Sequence, residues 1–188
     1  MNPRLRKRIV RPLLVMLGAI GVFALYIVAT NNFHTVIDGE LYRSARPSAA
    51  QVAEWHERYG IKTIINLMGA HPKAAWYREE KAAAEANGIT MIDHQMSAQR
   101  DVPAGEVETL LDILSKAERP ILVHCHSGAD RTGIVSAFYV AGIAGGSELY
   151  AEFQLTPFFG HLPFGFLRSY AMDRSFERAE TRLGFPDS

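Results

Sequence analysis

The segment Ile121–Gly133, ILVHCHSGADRTG, sets a nucleophile and an anion-binding fork at a fixed spacing. Ile121, Leu122 and Val123 read as a buried strand, and the stretch from Gly133 (GIVSAFYVAGIAG) reads as a buried helix. The loop between them runs from a strand end to a helix start, where unpaired backbone N–H groups and the helix dipole favour an anion. The same field favours a thiolate. Thiols so placed ionise at roughly pH 3.5–7.5, which makes Cys125 the expected nucleophile. Arg131, six residues later, offers a planar fork for two phosphate oxygens. His126, Ser127, Gly128, Ala129, Asp130 and Arg131 are the expected phosphate cradle. Gly128 spares the phosphate a crowding Cβ, His124 orients the loop through its ring nitrogens, and Thr132 donates its hydroxyl to the departing sulfur. The chemistry expected is thiolate attack on a phosphomonoester, with no metal and no cofactor.

A cysteine followed six residues later by arginine arises by chance in about one case in twenty at ordinary composition, so the spacing alone decides little. The strand, His124, Gly128, Thr132 and the helix give it meaning. Together, His124-Cys125-x5-Arg131-Thr132 resembles the signature loop of the cysteine-dependent protein tyrosine phosphatase superfamily, and the ending Gly128–Gly133 is similar to prokaryotic members of its dual-specificity-like branch. The segments GELYRS (39–44), GIKTIINL (60–67) and Met96-Ser97-Ala98 sit where such phosphatases carry similar ones, so the resemblance covers residues 34–165. It implies a central sheet flanked by helices, a phosphate loop at the end of the middle strand, and a phosphorylated protein or a small or lipid phosphomonoester as substrate. Polyphosphoinositide-selective relatives often place lysine in this loop, and Ala129 stands here without one. Zinc binding by His124, Cys125 and His126 fits poorly, because neighbouring strand residues point to opposite faces and no second ligand pair exists. Two readings of other classes are an idle phosphate-binding module and a persulfide-transferring sulfurtransferase. Intact Cys125, Arg131 and Thr132 speak against the first, and sulfurtransferase sites do not require Thr132 after Arg131.

A phosphatase of this kind needs a general acid to protonate the leaving oxygen. Asp101 lies 24 residues before Cys125 in the loop QRDVP, with a helix N-cap as its plain alternative. Asp130, directly before the loop arginine, resembles the acid of myotubularins and some secreted bacterial phosphatases, with structural support of the loop as its alternative. Asp93 ranks behind both. Gln154 and His161 can reach the site from a later helix or simply cross-link helices. Arg43 and Arg46 read as surface arginines or as charge at the substrate mouth. Phe158, Phe159, Phe164, Phe166 and Tyr170 read as core packing or a membrane-facing edge.

The chain has 188 residues, 48% of them hydrophobic and 21% charged, enough for one domain with a real core. Its formal charge is zero but unevenly placed: residues 1–30 hold five basic residues and no acidic one, leaving 15 basic against 20 acidic elsewhere. That balance gives no reason to expect nucleic-acid binding. Leu13–Thr30 is a charge-free apolar run long enough for one membrane helix. The basic leader predicts a cytoplasmic N-terminus, hence a single-pass inner-membrane protein with its catalytic domain on the periplasmic side. A cleaved signal peptide is the alternative, but no clean small-x-small site follows the run. The expected division is therefore 1–30, leader and anchor, and 31–188, phosphatase domain. Within that domain, a hairpin turns at Asp38-Gly39, and a capping box at Ser48–Gln51 opens a helix ending at Gly60. Strands are expected over 62–68 and 89–93, and helices over 73–87 and from Pro103 toward Glu118. The fold class expected is α/β: a central mixed, mainly parallel sheet flanked by helices, after one transmembrane helix.

Overall fold

The computed structural model describes residues 3–185, and for residues 3–9 the backbone alone. The side chains of Arg4, Arg6, Lys7 and Arg8, on which the reading of a basic leader rests, lie outside that description. Helix α1 (Pro3–Ala29) comes first; its stretch Val10–Ala29 has a mean hydropathy of 2.4 and none of its residues is fully buried by protein. At about 1.5 Å per residue these 20 residues match a hydrocarbon layer of about 30 Å.

The domain is a five-stranded sheet in the order β1-β2-β5-β3-β4. Its strands are β1 (His34–Ile37), β2 (Leu41–Ser44), β3 (Thr63–Asn66), β4 (Thr90–Asp93) and β5 (Ile121–His124). β1 and β2 form the expected antiparallel hairpin, and the remaining pairings are parallel. Helices α2 (Ala49–Tyr59) and α3 (Ala75–Ala86) cover one face. α4 (Ala104–Lys116), α5 (Asp130–Gly142), α6 (Glu148–Phe153) and α7 (Ala171–Leu183) cover the other. Burial on both faces explains why β5 reads as an unbroken apolar run: Ile121, Leu122 and Val123 are all fully buried.

Local signals are realised where the sequence places them. Ser48 and Gln51 close both bonds of the capping box, and Gly60 ends α2 in the left-handed conformation at φ 69°. Pro103 caps α4 instead of opening its first turn, so the helix begins one residue later than expected. α7 had no clear signal in the sequence; its mostly polar residues bury a single stripe, Met172, Phe176, Ala179 and Leu183.

Register decides where the chemistry sits. Ser44 on β2, His124 on β5 and Asn66 on β3 lie side by side in the sheet, so three neighbouring strands end at one level. Cys125 begins the loop between their exits. Helix α5 then leads away from the loop, and every residue from Thr132 to Ala141 is buried. Such encasement fixes the helix N-terminus in place beneath whatever the loop binds.

Candidate active site

The phosphate loop runs from Cys125 to Ala129 between β5 and α5. Cys125 is 1% exposed, His126 and Ser127 are exposed, and Gly128 and Ala129 are buried. The sulfur thus lies on the floor of a loop whose rim is open. Asp130 and Arg131 form the first turn of α5, whose N-terminus carries no side-chain cap.

Donors beneath the loop take up its carbonyl groups in succession. The backbone N–H of Arg46 donates to His126 O at 3.5 Å. Asn32 Nδ2 donates to Ser127 O at 2.9 Å and to Phe159 O at 2.9 Å. Arg43 Nη2 donates to Gly128 O at 2.8 Å and to Ala129 O at 3.3 Å, while its Nη1 holds both the backbone oxygen and Oε1 of Gln154 at 2.9 Å. Among the described residues, the N–H groups of Ser127, Gly128 and Ala129 have no protein acceptor. Oxygens turned down and N–H groups left over make a cradle for an anion.

Arg43 corrects the reading of a surface arginine. It is fully buried, with its guanidinium carbon 3.8 Å from the centre of the Phe159 ring. Burial pulls its pKa down to about 9, opposed by the charges of Cys125 and Tyr150, so it remains a cation at neutral pH. Gln154, which the sequence left open between site and helix cross-link, is the partner that orients it. Neither was separable from ordinary polar residues in sequence, since the bonds join residues 85 and 111 positions apart.

Gly128 also has a reason beyond the one expected. At φ 72° a Cβ there would meet Ser44 C and Ala45 N at 2.6 Å, so the backbone of the β2 exit by itself demands a glycine. Thr132 Oγ1 is buried without a hydrogen-bond partner, so its donation to the sulfur is not formed here. His124 is fully buried: Nε2 lies 2.7 Å from Oε1 of Glu80, equally buried, close enough for an ion pair but not aligned as a hydrogen bond. Its Nδ1 is 3.5 Å from Cys125 O. Arg131 Nη1 donates to Leu67 O at 3.3 Å, which steadies the guanidinium from the β3 exit.

The three aspartates are now distinct. Asp93 accepts from Asn66 Nδ2 at 2.8 Å and from the Tyr77 hydroxyl, the hydrogen-bonding role its strand end suggested. Asp101 is not the N-cap of α4. Its two oxygens bind Arg174 at 2.6 Å and Arg178 at 2.5 Å on α7, and the Arg174 hydrogen bond, helped by Arg178 against a burial cost, holds it below the usual carboxylate range. Asp130 Oδ1 lies 2.7 Å from His161 Nδ1, and His161 Nε2 lies 2.9 Å from Asp173 Oδ2. Burial works against charge on the His161 ring, but the carboxylates gripping both nitrogens outweigh it and push the pKa up to about 9.

These features carry a comparison with known proteins. A family model described as the DSP-PTPase phosphatase fused to NAD+ kinase matches residues 28–160. The chain belongs to that DSP-PTPase family. The inositol diphosphatase SIW14 of Saccharomyces cerevisiae is 28% identical over 156 residues, covering 80% of this chain and 51% of that protein. The dual specificity protein phosphatase TpbA of Pseudomonas aeruginosa is 36% identical over 101 residues, 53% of this chain and 42% of that one. The chain thus spans about half the length of these curated relatives. Among solved structures, P. aeruginosa TpbA superposes with a TM-score of 0.64 at 26% identity, covering 85% of this chain and 93% of that one. The SIW14 core catalytic domain in complex with citrate gives 0.59 at 25% identity, covering 83% and 94%. The expected phosphatase fold, with the loop after the middle strand of a mixed, mainly parallel sheet, is the fold observed.

Two substitutions test how this DSP-PTPase site is held. Arg43→Met removes donors from the loop carbonyls and a buried cation, and is expected to weaken orthovanadate binding by about 1.5–3 kcal/mol, roughly 10–150-fold, while slowing iodoacetate alkylation of Cys125. Arg43→Lys keeps the charge without the fork and should recover only part of either. Unchanged vanadate affinity in a folded Arg43→Met protein sinks that role. For His161, the folded ring keeps its proton up to about pH 9 where the unfolded ring releases it near 6.5. Its contribution is therefore complete below pH 6.5 and fades as pH rises through 9. The stability gap between wild type and His161→Asn, followed by thermal unfolding, should shrink across that window. A gap that stays constant or widens contradicts the charged ring.

Proposed function

We propose that the chain is a cysteine-dependent phosphomonoesterase of protein tyrosine or dual-specificity type. The carrying observation is the loop itself: a buried Cys125 beneath N–H groups that have no protein acceptor, with Arg131 at the helix start. The likeness to TpbA adds to it, since that protein also has a structure in complex with phosphotyrosine, superposing at a TM-score of 0.62.

In this reading the Cys125 sulfur attacks phosphorus in line, forming an S–P bond as the P–O bond to the leaving group breaks. The N–H groups of the loop and the Arg131 fork hold the three equatorial oxygens as charge shifts among them. The proton for the departing oxygen comes from the Asp130–His161 pair: at rest it sits on His161 Nδ1, 2.7 Å from Asp130 Oδ1, and it passes through Asp130 to the leaving group. Water then attacks the phospho-cysteine, returns a proton to Asp130 and releases the thiolate. Asp130 is favoured over Asp101 because both Asp101 oxygens are held by arginines of α7.

A second substrate reading, lipid or inositol phosphate, is favoured by one observation. Asn32, three residues past the apolar helix, bonds directly to Ser127 of the loop, which places the site beside the end of α1. Val10–Ala29 is read as a single membrane span within an anchor of residues 1–30, and residues 31–188 as the catalytic domain on the periplasmic side of an inner membrane. A topology reporter fused after Ser188 tests the orientation, and activity confined to the cytoplasm reverses it.

The protein should release phosphate from para-nitrophenyl phosphate without added metal, and Cys125→Ser should abolish the release. Insensitivity to that substitution, or strict dependence on metal, would falsify the mechanism, and no release at all leaves an idle phosphate-binding module. Asp130→Asn and Asp101→Asn are then compared on aryl and alkyl phosphates. Asp130→Asn is expected to lose about 10²–10⁴ in rate, mainly on the alkyl ester with its poor leaving group. Equal losses on both esters remove Asp130 as the acid.

A further inference from the structure

The segment Thr156–Leu167 (TPFFGHLPFGFL) contains no Asp, Glu, Lys or Arg. Its single titratable residue, His161, is fully buried against Asp130 and Asp173, and Phe159 is buried over Arg43. Leu167 is half-buried, and the other large apolar side chains face outward: Phe158, Leu162 and Phe164 are 44–48% exposed and Phe166 is 84% exposed. Phe164 and Phe166 stack on each other with their planes 2° apart, which pre-shapes an aromatic surface that no described part of the chain covers. Exposed Arg168 follows directly in sequence.

What lies beside this surface identifies its occupant. The Phe158 ring centre is 6.5 Å from that of Phe23 on α1, and a Cβ on Gly160 would stand 3.8 Å from Ile27 Cδ1. Phe23 and Ile27 share one face of the helix, four residues apart. Phe23 also lies six residues before Ala29, about 9 Å down the apolar stretch at 1.5 Å per residue. The domain is therefore packed alongside the upper turns of the helix, not carried on a stalk above it. Asn31 and Asn32, both at positive φ, turn the chain tightly and tie it to Ala45, Arg46 and Ser127, which keeps the domain close to the helix end.

We propose that the loop 157–167 is a membrane-docking surface, with Phe158, Leu162, Phe164 and Phe166 seated in the interfacial layer at the C-terminal end of α1. The inference rests on reading Val10–Ala29 as a membrane span. Phe and Leu side chains presented together beside an apolar helix suit burial at the headgroup–acyl boundary, and a basic residue beside them suits anionic headgroups. The inner side of the same loop carries His161, so the surface that meets lipid and the support of Asp130 are two faces of one segment. Membrane docking is thereby joined physically to the phosphate loop.

The test uses the full chain in nanodiscs of phosphatidylethanolamine and phosphatidylglycerol. Phe166→Trp adds an indole at an exposed position outside the catalytic machinery, to be compared with the parent, which has only Trp55 and Trp76. The expected result is blue-shifted emission that brominated acyl chains quench beyond the parent's level. Emission that is neither shifted nor quenched, in protein that resists carbonate extraction, overturns the docking surface while leaving the membrane span intact. A blue shift without quenching assigns the rings to a protein partner or a second copy, and also overturns it. Extraction by carbonate removes the span reading first, and the docking surface with it.

Discussion

The carbonyl oxygens of His126, Ser127, Gly128 and Ala129 meet donors from Arg46, Asn32 and Arg43 beneath the loop, and peptide planarity then turns the following N–H groups to the opposite side. The cradle is thus set by what lies under it before any ligand arrives. A buried guanidinium without a carboxylate partner is costly to retain in a core. Here carbonyl oxygens and the Phe159 ring receive it, and a dianion bound above the loop would complete the compensation.

The rest of the domain can be understood as the means of keeping that underside rigid. Arg43 belongs to β2, whose pairing with β5 fixes its height relative to the loop. Gln154 closes α6, and its two oxygens hold the guanidinium in one rotamer. Asn32 comes from the chain just before β1, with His34 Nε2 3.0 Å from its side-chain oxygen. Burial, with Arg43 nearby, lowers the His34 pKa to about 4, so the ring stays neutral and adds no second charge under the loop. Elements far apart in the chain thereby converge on four peptide groups.

Legibility in the sequence follows the range of the interaction. Cys125, Arg131, the strand before them and the start of the helix after them lie within the thirteen residues 121–133, and the capping box and hairpin are equally local, so all could be read from types and spacing. Arg43 and His161 could be named as candidates near the site, but not placed in it. Each acts through partners that only tertiary folding supplies, and an isolated arginine or histidine carries no mark of its burial. The partners of Asp101 were hidden for the same reason: Arg174 and Arg178 sit on α7, which the sequence pattern did not announce. Thr132 shows the opposite case, a residue correctly placed whose expected bond to sulfur is not made.

The close approach of Gly128 to Ser44 and Ala45 means that the signature loop is not a portable cassette. Its shape is moulded against a second stretch of backbone far away in sequence, as a key is cut to a particular ward. Transplanting residues 125–131 into another α/β scaffold would carry the reactive groups but leave behind the mould. A designer would have to move the end of β2, with its arginine, as part of the same graft.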